Sequence, residues 1–194
     1  MDYVIVLLVG YLLGSISTSV IVSKVALKDD VRKHGSGNPG ASNMMRSFGF
    51  KYAAIVLVGD MLKGLLAALV GQWLLGQSGL YYGTLAAVIG HNWPVFLKFK
   101  GGKGVATTLG GMLAIVPLWT ACACLLFILT LLLTRYFSVA SLVALGFLWV
   151  MILVFYMSNT TLFFFTTLLV LLSVYRHRTN IDRLMQGTEP KLKH

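Results

Sequence analysis

Long apolar segments alternate with short polar segments along the whole chain, and this pattern predicts a bundle of membrane-spanning helices. The apolar segments are continuous runs rich in Leu, Val, Ala and Gly, without the period-two alternation of a transmembrane barrel strand. Because one crossing of a bilayer about 30 Å thick needs about 20 residues, five of these segments predict one helix each. They are residues 3–25, 52–75, 81–99, 139–157 and 161–175.

A further apolar segment, residues 105–136, is too long for one crossing. It contains Pro117 near its middle, and proline interrupts a helix because it lacks the backbone N–H donor. We therefore predict two short helices that turn at Pro117, and seven transmembrane helices in all, in an all-α polytopic membrane protein. Lys24 and Lys28 follow the first segment instead of preceding it, which favours a retained helix over a cleaved signal peptide.

The basic residues orient the predicted helices in the membrane. Of the 16 Lys and Arg residues, all except Lys63 fall in segments on the same side of the seven-helix topology. The positive-inside rule assigns that side to the cytoplasm, so we predict the N-terminus outside and the C-terminus in the cytoplasm. The formal net charge of +10 then lies on one membrane face, where anionic lipid headgroups attract it.

Composition excludes a water-soluble globular protein. With 57% hydrophobic residues, 11% charged residues and a mean hydropathy of +0.82, the chain has too little polar surface to enclose a soluble core. No repeat or low-complexity segment divides it, so we predict one integral-membrane domain over residues 1–194. Cys122 and Cys124 lie in an apolar run, two positions apart, and are interpreted as packing residues and not as a disulfide or metal site.

Three polar clusters on the predicted cytoplasmic face contain the candidate chemistry. The first is HGSGNPGASNMMR at residues 34–46, where Gly, Asn and Pro predict a compact loop. Arg46 has a planar guanidinium that binds a phosphate or carboxylate with two parallel hydrogen bonds. Ser36, Asn38 and Asn43 add neutral donors. This density of special residues favours a substrate-binding loop over an ordinary connection.

The second cluster is glycine-rich and reads GHNWPVFLKFKGGKGVATTLG at residues 90–110. Glycines let consecutive backbone N–H groups turn towards one anion, and the helix predicted to follow adds the positive end of its dipole. Lys103 adds a full positive charge. His91, at the entry, either orients this loop or contacts substrate. The candidate phosphate-binding residues are Gly101, Gly102, Lys103, Gly104 and Thr107.

The third cluster, RHRTNIDR at residues 176–183, follows the last predicted helix and is extended by GTEPK at residues 187–191. His177 and Asn180 lie three positions apart, so a helix that continues through Arg178 directs both to one face. We predict that this face is the reacting centre and that both residues are catalytic, because the first two clusters already account for phosphate binding. Arg178 offers a further charge for a phosphate, and Glu189 is predicted to tie the tail to the basic loops. Two glycine-rich loops and several cations together indicate a site for two anionic groups beside the membrane surface.

These motifs, SGNPGASN…R, GHNWPVFLKFKGGKGVAT and HRTNIDRLMQGTE, closely resemble the signature motifs of the bacterial acyl-phosphate:glycerol-3-phosphate acyltransferase family (PlsY), and the resemblance covers nearly the whole chain. It implies an enzyme of the bacterial cytoplasmic membrane with its active site on the cytoplasmic face. The implied reaction transfers a fatty acyl group from acyl phosphate to glycerol 3-phosphate, giving lysophosphatidate and inorganic phosphate, an early step of phospholipid synthesis. No cofactor, metal, nucleic acid or obligatory protein partner is implied.

The resemblance also assigns site residues. The positions that match the family's motif residues are Ser36, Arg46, Gly101, Gly102, Lys103, Gly104, His177, Asn180 and Glu189. The family usually has threonine where this chain has Ser42, and both keep a hydroxyl. Acyl phosphate is already activated, so we assign Ser36 a hydrogen-bonding role and not that of a nucleophile. His177 stays open between a general base, a phosphate-binding cation and a fixed neutral donor. The further alternative, which we favour at this point because the donor is activated, is that the substrate phosphate itself takes the proton.

A small anion or lipid transporter is the alternative, because polar clusters and glycine-broken helices also mark transport sites. Transport requires polar residues at mid-membrane or on both sides of it. Only Asp60 and Lys63 lie deep, and at three positions apart they are predicted to neutralise each other as a structural pair. The sequence therefore favours acyl transfer.

Overall fold

The computed structural model describes residues 1–192, and over that range the chain consists of α-helices, loops and two 3₁₀ turns. The prediction of an all-α protein is thus confirmed. Lys193 and His194, the end of the predicted domain, lie outside the described residues. The chain divides into two compact units, one from Met1 to Ile115 and one that begins at Val116. The organisation as one integral-membrane domain stays a prediction.

The first unit is built around one long helix. Its helices are α1 (Asp2–Ser15), α2 (Thr18–Ala26), α3 (Ala41–Phe48), α4 (Phe50–Leu75), α5 (Gln77–Asn92) and α6 (Val105–Ile115), with 3₁₀ turns at Val31–Lys33 and Val95–Leu97. The longest of them, α4, packs against the other five and forms the centre of the unit. α3 lies in the polar segment between the first two predicted spans.

The first predicted span is broken, which corrects the prediction of one continuous helix over residues 3–25. Ile16 and Ser17 separate α1 from α2, and Ile16 is extended, with φ −66° and ψ 115°. The Ser17 hydroxyl caps α2 by accepting a hydrogen bond from the backbone N–H three residues further on. Serine and threonine favour such a break because their side chains bond the backbone locally. Lys63 of α4 donates to the Ile16 carbonyl at 2.8 Å.

The third predicted helix ends earlier than residue 99, because α5 stops at Asn92. Pro94 cannot continue a helix, and it also restricts Trp93, whose backbone is non-helical at φ −135° and ψ 68°. Lys98 and Phe99 then adopt left-handed backbone angles, with φ of 53° and 60°. These two residues turn the chain into the segment 101–104, which we call the glycine loop.

Glycines allow the closest helix contacts of the first unit. A Cβ added at Gly64 of α4 would overlap the Thr107 carbonyl oxygen of α6, and one added at Gly83 of α5 would overlap the Ala67 carbonyl oxygen of α4. Small residues at these positions let the backbones approach directly, as in other membrane helix pairs. The start of α6, which follows the glycine loop, is thereby held against α4.

The second unit contains α7 (Pro117–Thr134), α8 (Phe137–Phe155), α9 (Thr160–Arg176) and α10 (Arg178–Met185). Pro117 is the first residue of α7, a position at which its missing N–H costs nothing, and the predicted break of the apolar segment at this proline is confirmed. α9 and α10 are separated by His177 and meet at a bend of 58°. The last helix therefore does not continue straight through Arg178.

Among residues 1–192, four helical segments have the length and composition to cross a membrane: Asp2–Ala26, Phe50–Leu75, Pro117–Thr134 and Phe137–Phe155. A fifth is present if the bent pair α9 and α10 counts as one span. α5 has 16 residues and α6 has 11, whereas a full crossing needs about 20. The structure thus has four to five apolar spans, and the predicted number of seven is not confirmed.

Candidate active site

The first motif forms a compact loop that leads into α3. Asn43, in the first turn of α3, is almost completely buried. Its Oδ1 accepts a hydrogen bond from the Ser36 N–H at 3.0 Å, and its Nδ2 donates to the carbonyls of Val31 and His34, both at 3.0 Å. These bonds use most of the capacity of the amide inside the protein, so Asn43 holds the loop in shape.

Arg46 lies one turn further along α3 and faces this loop. Its Nη1 donates to the Ser42 hydroxyl at 2.8 Å, and its Nη2 is 3.4 Å from the Ser36 hydroxyl. Ser36 is exposed, while Arg46 and Asn38 are half-buried. The guanidinium is therefore oriented in part by two neutral hydroxyls.

The glycine loop packs on the end of α5. The Gly102 N–H donates to the His91 carbonyl oxygen at 3.0 Å, and a Cβ added at Gly102 would overlap His91 Nε2. Gly104 has a φ of +79°, in the left-handed region that favours glycine, directly before α6 begins. Lys103 lies half-buried between them. Of the two roles left open for His91, the contacts support the one in which it orients the loop.

Asn92, at the end of α5, and Thr107, in the first turn of α6, are both fully buried. A Cβ added at Gly104 would come within 2.8 Å of Asn92 Oδ1, so the Asn92 amide lies directly below the loop. In the described part of the chain, neither the Asn92 amide nor the Thr107 hydroxyl has a hydrogen-bond partner. Phosphate binding by Thr107 stays a prediction.

A small cleft in the first unit brings the first two motifs together. Pro39 of the first motif lines it, as do His91 and Gly102 of the second. Lys63 of α4 and residues 14–17, at the break between α1 and α2, complete its walls. Two clusters that lie about 50 residues apart in the sequence thus meet at this cleft. Arg46 and Lys103 are not among its lining residues, so binding of two anions stays a prediction.

The third motif lies in the second unit and is organised by Glu189. Oε1 of Glu189 accepts hydrogen bonds from Asn180 Nδ2 at 2.6 Å and from Ser138 Oγ at 2.8 Å, and Oε2 accepts one from Arg183 Nε at 2.8 Å. Glu189 and Asn180 are both buried. Glu189 therefore ties the tail to α8 and α10, and it fixes the orientation of the Asn180 amide.

The ionisation of Glu189 follows from these contacts. Burial raises the pKa of its carboxyl, but the hydrogen bonds from Asn180, Ser138 and Arg183, with the Arg183 charge, outweigh burial and leave the pKa below its ordinary value. The stability that the carboxylate contributes is present above the ordinary carboxyl pKa and is lost as the pH falls through the lowered value. At neutral pH Glu189 is thus an anion that accepts from Asn180.

His177 occupies the bend between α9 and α10 and is 2% exposed. Its Nδ1 lies 2.8 Å from the Ser173 carbonyl oxygen and 3.4 Å from the Ser173 hydroxyl. Because a carbonyl oxygen only accepts, Nδ1 carries a proton, and the neutral imidazole then has its lone pair on Nε2. The Asn180 N–H donates to the His177 carbonyl at 2.8 Å. The two predicted catalytic residues of this motif are thus adjacent.

Arg178 is oriented away from this buried pair. It is exposed, its Nη1 donates to the Tyr175 carbonyl at 3.0 Å, and its guanidinium lies over the Tyr175 ring at 4.4 Å from the centroid. These contacts hold Arg178 against the end of α9, at the surface of the second unit.

Comparison with known proteins identifies the family. The family model described as glycerol-3-phosphate acyltransferase matches residues 4–187. The chain belongs to this acyltransferase family. A relative from Thermoanaerobacter pseudethanolicus, named glycerol-3-phosphate acyltransferase, is 41% identical over 189 residues, which are 97% of this chain and 95% of the relative.

The fold of this chain is also similar to that of two crystal structures. Both are of PlsY, an integral membrane glycerol 3-phosphate acyltransferase. Its glycerol 3-phosphate form has a TM-score of 0.90 and 36% identity, covering 100% of this chain and 96% of that one. Its lysophosphatidic acid form has a TM-score of 0.87 and 36% identity, covering 98% and 95%. Family membership favours acyl transfer over the transporter alternative.

Sequence reasoning missed several residues that build this acyltransferase site. Ser138 and Ser173 lie in helices that were predicted from their hydrophobicity, where a single serine is no signal by itself. Both are buried, and each is recognised only through its contact, with Glu189 and His177 respectively. Asn92 was visible in the second motif, but its burial beneath the loop was not predictable from spacing.

Proposed function

We propose that this acyltransferase moves a fatty acyl group from acyl phosphate to the primary hydroxyl of glycerol 3-phosphate, giving lysophosphatidate and inorganic phosphate. The observation that carries the proposal is the similarity to PlsY in two forms, one with glycerol 3-phosphate and one with lysophosphatidic acid. The first molecule is the proposed acceptor and the second is the proposed product. Acyl phosphate as the donor rests on the resemblance of the three motifs.

The proposed step forms one bond and breaks one. The acceptor hydroxyl oxygen attacks the acyl carbonyl carbon, the bond from that carbon to the phosphate oxygen breaks, and the electron pair leaves with the phosphate. The hydroxyl proton passes to a base or to the departing phosphate. Because the donor is already activated, the protein chiefly has to neutralise two phosphates and position the hydroxyl.

The first two motifs are assigned the phosphate contacts in this mechanism. Arg46 and Lys103 neutralise phosphate charge, and the N-terminal end of α6 adds backbone N–H donors, whereas the Gly102 N–H already donates to the His91 carbonyl oxygen. Ser36 and Asn38 complete the polar surface of the first motif. We assign Asn43 to holding this loop, because its side chain is buried and bonded to three backbone groups. Thr107, in the first turn of α6, is assigned to the same phosphate-binding group.

The third motif is assigned the groups for the reacting centre. His177, with its proton on Nδ1, accepts a hydrogen bond or a proton at Nε2. Asn180 is held by Glu189 and contributes a fixed amide dipole next to His177. Arg178 adds a positive charge at the surface, where it attracts anionic substrates.

We further propose that the chain crosses the bacterial cytoplasmic membrane seven times, with the N-terminus outside, the C-terminus in the cytoplasm and the site on the cytoplasmic face. The bilayer and the two substrates are its only required partners. The one-sided distribution of basic residues supports this topology. In a Cys122→Ala, Cys124→Ala background, an impermeant thiol reagent added to whole cells is expected to label Ser78→Cys and not Lys191→Cys. The reverse labelling would contradict this orientation.

The function is tested with the purified protein in detergent. Glycerol 3-phosphate is combined with either an acyl phosphate or an acyl thioester of the same chain length, and lysophosphatidate is measured. We expect product from acyl phosphate alone. Turnover with the thioester and none with acyl phosphate would contradict the proposed donor.

Gly102→Ala is expected to lower acyl transfer by about 5–150-fold, because an overpacking cost of about 1–3 kcal/mol corresponds to that range of rate or affinity. The added methyl group overlaps His91 Nε2, so the loop or the ring has to move. Gly146→Ala in α8 is the matched control, since its Cβ would meet nothing within 4 Å. Kinetics and thermal unfolding are measured on both variants. A stability loss with normal kinetics for both substrates would make the loop a packing turn.

A further inference from the structure

A buried ion pair lies beside the cleft of the first unit, and no step of the proposed reaction uses it. Asp60 and Lys63 of α4 are 3% and 7% exposed, and Lys63 Nζ lies 2.8 Å from Asp60 Oδ1. The pairing predicted from their spacing is thereby confirmed. Burying two charges removes their hydration, and well-packed apolar residues are often as stabilising as a buried ion pair. Stability alone therefore does not account for charges at these positions.

The pair joins several elements of the first unit. Asp60 Oδ1 also accepts a hydrogen bond from Thr18 Oγ1 of α2 at 3.0 Å, and His91 Nδ1 at the end of α5 lies 3.7 Å from the same oxygen. Lys63 Nζ donates to the carbonyl of Ile16, between α1 and α2. One carboxylate oxygen and one ammonium group thus connect α4 to the break in the first span and to His91.

His91 continues this connection to the glycine loop. Its carbonyl oxygen accepts the Gly102 N–H, and its ring fills the space where a side chain of residue 102 would lie. Lys63, His91 and Gly102 all line the same cleft. A displacement of His91 therefore displaces Gly102, and with it the backbone next to Lys103.

We propose that Asp60 and Lys63 are positioning residues of the acyltransferase site, which hold His91 and through it the glycine loop in the conformation that binds phosphate. Their place in catalysis rests on the proposed function. The contact from the ion pair through His91 to the glycine loop is independent of the proposed function, and it can be measured in the absence of any reaction.

The test uses the double variant Asp60→Asn, Lys63→Met in the full-length protein. Each single variant leaves one buried charge without its partner and is expected to lower the unfolding temperature, whereas the double variant removes both charges and is expected to regain most of that loss. Lys51→Met is the matched control, because Lys51 is an exposed lysine on the same helix. Thermal unfolding in detergent distinguishes these variants.

Two further measurements separate positioning from a merely structural role. Amide hydrogen exchange in a peptide that covers residues 98–105 is expected to rise at least about tenfold in the double variant, with α7 and α8 unchanged, because the loop loses its support locally. The KM for glycerol 3-phosphate is expected to rise at least about tenfold, with a smaller change in kcat, since a misplacement of about 1 Å costs up to about 100-fold.

Loop exchange and KM equal to those of the Lys51→Met control, in a folded double variant, would overturn the proposal. Thr18→Val is a second variant that tests the proposal, because it removes one hydrogen bond to the Asp60 oxygen and keeps both charges. It is expected to raise loop exchange by a smaller factor, and no rise in this variant also counts against the proposal. If the wild type fails to use acyl phosphate, the proposed function fails, while hydrogen exchange still decides whether the pair holds the loop.

Discussion

Replacing His177 by Ala is expected to lower turnover by about 10²–10⁴-fold, the range found when a general acid or base is removed. The contacts of the ring argue against one of the roles left open, that of a fixed neutral donor at Nε2. Nδ1 is engaged with the Ser173 carbonyl, so a neutral His177 has no second proton to donate from Nε2. His34→Ala is the control, since His34 is an exposed histidine whose ring contacts Asp29.

The pH dependence of the wild-type rate distinguishes the roles of His177. With a general base, the rate rises with pH as the imidazole loses its proton, once the spontaneous hydrolysis of acyl phosphate has been subtracted. A cation that binds phosphate gives a rate that falls over the same interval. A pH-independent rate, together with a loss of less than tenfold in His177→Ala, would assign the proton to the substrate phosphate and contradict the base.

The second large effect is expected for Arg46→Ala and for Lys103→Ala. Each side chain is assigned a charge-assisted contact with a phosphate, worth about 1.5–3 kcal/mol, which corresponds to about 10–150-fold in rate or apparent affinity. Arg46 is held between the hydroxyls of Ser42 and Ser36, so Arg46→Lys, which lacks the planar fork, is expected to recover only part of the loss.

Lys100→Ala is the matched control for these two variants. Lys100 is exposed and directly precedes the glycine loop, so its substitution removes the same charge at nearly the same place. The kinetics for both substrates are compared at two ionic strengths, because salt screens a diffuse field more than a direct contact. Equal losses for Lys100→Ala and Lys103→Ala would make Lys103 part of the general basic surface and not a ligand.

Backbone conformation was predictable from the sequence where the residue type sets it locally. Gly104 has a left-handed backbone and Pro117 begins a helix, and both follow from the residue type. The break at Ile16 was not predicted, because glycine and serine are also tolerated inside membrane helices and the apolar pattern continues across it. Pro94 was present in the sequence, but the hydrophobic residues after it outweighed it in the prediction of the third helix.

The contacts that organise the site were beyond sequence reasoning for a different reason. Ser138 and Glu189 meet across 51 positions, and Gly102 rests on a ring whose position depends on how α5 ends. Neither pairing follows from periodicity, because each depends on tertiary packing. Asp60 and Lys63 show most directly what sequence spacing can predict. Their spacing predicted the ion pair, but not its contacts with Thr18 or His91.

The most direct test of acyl transfer from acyl phosphate is the product balance of the purified wild-type protein. Lysophosphatidate and inorganic phosphate are measured in the same sample, with and without glycerol 3-phosphate, and a sample without protein gives the spontaneous hydrolysis. We predict that the two products form in equal amounts and only when glycerol 3-phosphate is present. Enzyme-dependent release of phosphate without lysophosphatidate, or lysophosphatidate formed without any release of phosphate from the donor, would contradict the proposed function.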